Sequence, residues 1–258
     1  MGYRGKFFWY QLMTRDPAAA GDFYAAAVGW NVRDAGGENQ GYTILSAGDR
    51  GVGGIGGICD AAEAQGVRAG WIGYVAVDDA DAAAARIAAK GGRVLAPAAD
   101  IPNVGRFAAV ADPQGAAFML LAPNGGREMR PLARMAPGNV GWHELHTRDW
   151  EAALDFYAEQ FGWAAVRSLD MGPMGTYRSF AAEAGGEAIG GMMNAPDPER
   201  APGWTFYFAV DGIDSAAERV RAAGGEVTMG PMQVPDGSFV VHARDPEGNA
   251  FALVSAAL

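Results

Sequence analysis

One phrase occurs twice in this chain, and that constrains the fold more than any other feature. Phe8-Trp9-Tyr10-Gln11-Leu12-Met13-Thr14-Arg15-Asp16 continues through Asp22-Phe23-Tyr24 to Val28-Gly29-Trp30. It returns as Gly141-Trp142-His143-Glu144-Leu145-His146-Thr147-Arg148-Asp149, continuing through Asp155-Phe156-Tyr157 to Phe161-Gly162-Trp163. A shift of 133 positions also lays Gly70-Trp71 on Gly203-Trp204, Ala76-Val77-Asp78 on Ala209-Val210-Asp211, and Asp112-Pro113 on Asp245-Pro246. Ile55-Gly56-Gly57-Ile58 meets Ile189-Gly190-Gly191-Met192 at a shift of 134, read as a one-residue loop difference. A long fixed period means two copies of one structural unit. The copies are of ordinary domain size: 1–123 and 140–258, with 124–139, rich in glycine and proline, as the linker.

Each copy opens on a strand, 7–14 or 140–147, followed by an aspartate placed to cap a helix: Asp16, with Pro17 at the first helical position, or Asp149. Gly29 and Gly162 are placed to close those helices. Short strands follow near Tyr42–Ala47 and Gly53–Ile58, and again near Thr176–Ala181 and Ala188–Met193. A second half-copy starts at Trp71 or Trp204, runs through a helix after Asp81 or Asp214, and ends in three strands. These strands are expected near 93–95, 106–111 and 116–121, and near 226–229, 238–243 and 250–254. Asp112-Pro113-Gln114-Gly115 and Asp245-Pro246-Glu247-Gly248 read as tight turns with glycine where φ must be positive. Each copy is thus strand–helix–three strands, twice over, an α+β pattern.

Composition removes several functional classes. The net charge of −10 argues against nucleic acid as a partner. The excess is uneven: 12 basic and 13 acidic residues lie up to position 133, and 8 and 17 after it. No apolar run reaches the ~18 residues of a membrane span, and Arg4, Lys6 and Phe7-Phe8-Trp9 do not form a secretory leader. A cytoplasmic protein with no membrane partner is the expectation. The single cysteine, Cys59, excludes an internal disulfide and is read as a small, semi-buried residue. The glycine-rich Val52–Gly57 does not precede a helix, so it reads as a hairpin and not a phosphate loop.

The order of an aspartate-capped helix, Phe-Tyr, Gly-Trp and a terminal Asp-Pro-x-Gly hairpin, repeated twice, resembles the vicinal oxygen chelate superfamily. That superfamily holds glyoxalase I, extradiol dioxygenases and bleomycin-resistance-type binding proteins. The resemblance covers nearly the whole chain and implies two tandem glyoxalase-like domains, each of two βαβββ units whose sheet curls into a cup. It also implies three positions for metal ligands. Here they hold Trp9 or Trp142, Ile72 or Thr205, and Met119 or Ala252. Such side chains offer no hard-metal donor beyond a weak hydroxyl. The expectation is no cofactor; a divalent metal, were one held, would need Glu144, His146 and His242.

Alternation along a strand puts Trp142, Glu144 and His146 on one face and His143 with Leu145 on the other. Since Trp142 holds the family's ligand position, its face is the cup interior. By the same reasoning Thr205, Tyr207 and His242 face inward, and in the first copy Trp9, Gln11, Met13, Tyr74 and Ala109 do so. The first cup is then apolar and the second polar. Glu144, His146 and His242 are the candidate catalytic groups. Trp9, Gln11, Tyr74, Trp142, Thr205 and Tyr207 are the candidate ligand contacts. The leading reading is a protein that binds a small, partly apolar organic molecule without the family's metal. A lyase, isomerase or dioxygenase-type enzyme using the second cup is the alternative, and a protein-interaction scaffold the third. Both a pseudo-symmetric monomer and a homodimer suit the repeat, and the cups can close within a copy or across the two.

Overall fold

The computed structural model describes residues 4–39, 41–60, 63, 67–124, 133–197 and 199–258. The first copy contains β1 (Phe7–Thr14), α1 (Pro17–Val28), β2 (Asn31–Asp34), β3 (Thr43–Ala47), β4 (Arg50–Gly57), β5 (Gly70–Ala76), α2 (Ala80–Ala89), β6 (Arg93–Ile101), β7 (Gly105–Ala111) and β8 (Ala117–Pro123). The second contains β9 (Val140–Thr147), α3 (Trp150–Phe161), β10 (Ala164–Asp170), β11 (Thr176–Ala181), β12 (Ala188–Asn194), β13 (Gly203–Ala209), α4 (Ile213–Ala222), β14 (Glu226–Gln233), β15 (Phe239–Arg244) and β16 (Ala250–Ser255). The strands form two eight-stranded mixed sheets of identical order, β2-β3-β4-β1-β5-β8-β7-β6 and β10-β11-β12-β9-β13-β16-β15-β14. This is the α+β pattern of two tandem copies.

Local signals place most boundaries. Asp16 and Asp149 accept the amides of Ala19 and Ala152 and so cap α1 and α3. Gly29 and Gly162 end them in the left-handed conformation at φ 88° and 81°. In the second half-copies the expected start is corrected. Asp79 caps α2, and α4 begins after Gly212 without a side-chain cap, so Asp81 and Asp214 fall inside the first turn. There their negative charge still favours the helix N-terminus. Strands β6 and β14 run several residues beyond 93–95 and 226–229. Cys59 is exposed, not semi-buried. Half of the linker reading, residues 125–132, lies outside the described residues; its end at 133–139 is tied down. Gly138 donates to the Ala209 carbonyl, the Ala209 amide donates to Asn139, and the Trp30 indole donates to Gly138.

Strand register corrects the alignment of the glycine pairs. In β1–β4, Tyr10 and Gln11 face Gly53 and Gly54, whereas in β9–β12, His143 and Glu144 face Gly190 and Gly191. Gly53-Gly54 therefore corresponds to Gly190-Gly191, a shift of 137 and not 134. The reason is steric. A Cβ on Gly53 or Gly190 would lie 2.3 Å from the carbonyl oxygen of Tyr10 or His143. A Cβ on Gly54 or Gly191 would meet the ring of Tyr42 or Tyr177. These glycines are matched by what lies over them, which a loop-based alignment does not see.

The described residues form two compact units, and each draws on both copies: those within 9–72, 133–142 and 205–258 make one, and those within 4–8, 73–124 and 143–204 the other. In the first, α1 packs on α4. The Tyr24 hydroxyl donates to Asp245 of the second copy's terminal turn at 3.2 Å and accepts the Trp71 indole N–H at 2.8 Å. Around it lie Trp30, Phe208 and Phe251, all buried. In the other unit α2 packs on α3. The Tyr157 hydroxyl donates to Asp112 of the first copy's terminal turn at 3.1 Å and accepts from Trp204 at 3.3 Å. Tyr157 stacks on Trp163 with centroids 4.8 Å apart. Each such aromatic contributes roughly 2–3 kcal/mol of burial, and its hydroxyl must find a partner there.

Candidate functional site

Strand β9 sets the site. Its odd-numbered residue His143 turns away from the polar face. The His143 ring stacks on Phe7 with centroids 4.9 Å apart, and its Nδ1 lies 2.7 Å from the Ile189 carbonyl oxygen. It is a core histidine. Glu144 and His146 point the other way and are more than nine-tenths buried.

Glu144 accepts a hydrogen bond from the Tyr177 hydroxyl on β11, 3.0 Å from Oε2. Tyr177 reaches it by crossing β12 above Gly191, where any side chain would occupy the space of its ring. Tyr177 was not a sequence candidate. The signal that finds it is the pairing of a tyrosine with a double glycine, present also in the first copy as Tyr42 over Gly54.

His146 Nδ1 lies 3.6 Å from Glu144 Oε1, beyond hydrogen-bond length, and that nitrogen is buried with no hydrogen-bond partner. Burial, with the positive field of Arg200 behind it, lowers the His146 imidazole to about 4. The pair is therefore a neutral imidazole beside a carboxyl group and not an ion pair, because desolvation penalises the imidazolium more than a 3.6 Å contact rewards it. A buried polar nitrogen with nothing to bind costs roughly 1–3 kcal/mol.

In the other compact unit, β13, β16, β15 and β14 bring Tyr207, Ala252, His242 and Met229 into one transverse row. Because Ala252 is small, the Tyr207 hydroxyl spans it to lie 3.1 Å from His242 Nε2. The next row holds Ala209, Val254, Val240 and Met232. Trp142 and Met135 pack against this apolar floor. The Arg134 guanidinium sits 5.5 Å above the Trp142 ring, a contact that no sequence pattern announces. Thr205 is buried on β13.

The first copy carries the other candidates. Trp9 donates its indole N–H to the Tyr42 hydroxyl at 3.1 Å, and burial pushes that hydroxyl up to about 12. Gln11 Nε2 lies 2.7 Å from the Met13 sulfur. Tyr74 is buried on β5.

The positions where the resemblance places metal ligands hold an indole, a hydroxyl and a methyl group in the second copy, and an indole, a sec-butyl chain and a thioether in the first. That donor chemistry does not fit the family's metal. Among the described residues, no three His, Cys, Asp or Glu side chains are grouped to hold an ion. Among the same residues no helix is long and apolar enough to cross a membrane.

Comparison with known proteins points one way. The model of the Glyoxalase/Bleomycin resistance protein/Dioxygenase superfamily matches residues 6–120 and 139–253. The chain is 34% identical over 252 residues to the protein named "Putative glyoxylase CFP32" of Mycobacterium bovis, covering 96% of this chain and 94% of that one. It is 32% identical over 264 residues to "Anthracycline biosynthesis protein DnrV" of Streptomyces peucetius, covering 95% and 91%. Among solved structures, the Mn(II)-bound glyoxalase of Novosphingobium aromaticivorans superposes with a TM-score of 0.65 at 17% identity, over 100% of this chain and 84% of that one. An extradiol ring-cleaving dioxygenase from B. fuscum superposes with a TM-score of 0.66 at 15% identity, over 98% and 71%. At those identities the structural likeness speaks for the fold alone.

Proposed function

Because this chain belongs to the Glyoxalase/Bleomycin resistance protein/Dioxygenase superfamily over both of its copies, we propose that it binds a small, partly apolar organic molecule at the polar face of β9, without the metal its superfamily relatives use. The observation that carries this reading is the buried Glu144–Tyr177 pair beside His146, whose Nδ1 is left with no hydrogen-bond partner. Buried polar groups are normally satisfied within the fold. A few placed polar groups in apolar surroundings are the usual form of a small-molecule site. The relatives' names support the same class of ligand: a glyoxylase and an anthracycline biosynthesis protein both concern small organic molecules.

Calorimetric titration with a panel of simple aromatic and polycyclic molecules tests it. Saturable binding that weakens about tenfold in Tyr177→Phe and in Glu144→Ala is expected, since each hydrogen bond to a charged or buried partner is worth roughly 1.5–3 kcal/mol. No saturable binding by any member of the panel overturns it. Dialysis against a chelator leaves the affinity unchanged, and a chelator-dependent loss overturns the metal-free reading.

An enzymatic reading has its own support. A neutral imidazole with an open nitrogen is the form a general base requires. Once a substrate is in hand, His146→Asn abolishes its turnover on this reading, and undiminished turnover rules it out.

A further inference from the structure

The open nitrogen of His146 also says what kind of group the ligand brings. We infer that the ligand presents a hydroxyl group that seats between His146 Nδ1 and Glu144 Oε1. This rests on the binding reading above and deepens it.

The two atoms are 3.6 Å apart, a separation that a ligand oxygen at roughly 2.8 Å from each would bridge within ordinary hydrogen-bond lengths. An anionic group there meets the Glu144 carboxyl at close range. A cationic group meets the positive field of Arg200 that already acts on His146. A carbonyl oxygen has no hydrogen to give Glu144. A metal ion would find only two ligands, since no group of three exists among the described residues. A hydroxyl satisfies both sides when Nδ1 carries the ring hydrogen: it accepts from Nδ1–H and donates its own hydrogen to Glu144. A carboxyl oxygen accepts more than one hydrogen bond, so Oε1 can receive the hydroxyl in addition to its other contacts. Tyr177, anchored on Oε2 at 3.0 Å, holds the carboxyl in the required orientation.

The test compares 4-nitrophenol with 4-nitroanisole, which differ only by methylation of the hydroxyl. Wild-type protein binds the phenol at least tenfold more tightly than the ether. His146→Phe, which keeps the ring's bulk and removes Nδ1, binds the two within about twofold of each other. Bound 4-nitrophenol keeps its proton beside Glu144, so its phenolate absorbance falls on binding. That readout needs only the wild-type protein, and it serves alone if the variant does not fold. Equal wild-type affinities, a preference that survives in His146→Phe, or a rise in phenolate absorbance overturns the inference while leaving the binding reading intact. If neither probe binds, the hydroxyl inference is overturned, and the binding reading falls with it only when the wider panel also shows no saturable binding.

Discussion

At the scale of single residues, His146 sets a pH dependence that can be worked out in sign. Its folded-state value is about 4 against 6.5 for a free imidazole. The unfolded chain therefore takes up the proton first as pH falls. The stability tied to the neutral ring is complete above about 6.5 and is lost towards 4. Urea unfolding at pH 7 and at pH 4.5 should show wild-type protein losing on the order of 2 kcal/mol more than His146→Phe. Equal losses would refute the buried neutral ring. The two glycines of β12 divide in a second way. A Cβ on Gly190 meets the His143 carbonyl oxygen, which cannot move without breaking the β9–β12 ladder, whereas one on Gly191 meets only the far end of the Tyr177 side chain. Gly190→Ala should cost about 3 kcal/mol. Gly191→Ala should cost about 1 kcal/mol and reproduce the ligand-affinity loss of Tyr177→Phe, as thermal melts and titrations will show.

At the scale of elements, the Asp-Pro-x-Gly turns do more than close a hairpin. Glu247 accepts the Arg15 and Asp16 amides at 3.2 and 2.9 Å, and Gln114 accepts those of Arg148 and Asp149 at 3.1 and 2.8 Å. The third residue of each turn thus holds the entrance to the other copy's first helix. Burial alone would raise the Glu247 carboxyl, but the Thr14 side chain together with the Arg15 and Asp16 amides outweighs it and holds the group below its usual range. Its contribution is present at neutral pH and is lost in acid, as the carboxyl protonates. Alanine at either position should cost about 1 kcal/mol. The wild-type loss in acid should diminish in Glu247→Gln, which keeps an acceptor without the charge, and circular dichroism melts at pH 7 and 3.5 distinguish the outcomes. Element boundaries were legible where a cap or a glycine marked them. Strand β2 was not, because Asn31-Val32-Arg33-Asp34 is exposed throughout and has no buried face to impose alternation. The far ends of β6 and β14 are largely exposed and hidden for the same reason.

At the scale of the whole molecule, neither compact unit is built from one copy alone. The buried tyrosine of each unit hydrogen-bonds an aspartate of the other copy's terminal turn, and α1 packs on α4 as α2 packs on α3. Residues 1–124 or 133–258 expressed alone should therefore unfold non-cooperatively or pair with a second identical fragment. Mixing the two should restore a cooperative transition. A stable monomeric fragment by light scattering would refute this interdependence.

The duplication, the helix caps and the terminal turns are written in local residue types, because a cap or a positive-φ turn depends on a few neighbours along the chain. The sequence by itself therefore determined the number of copies, their element order and the family. The face that Glu144 and His146 share on β9, opposite His143, was legible too, since strand alternation needs only the strand. Tyr177 on Glu144, the true partner of the double glycine, the depressed His146 and the mixing of copies within each unit were decided only by the tertiary structure. They depend on which strand lies beside which and how much water remains between them, and neither distance nor dielectric is a property of residues read in order.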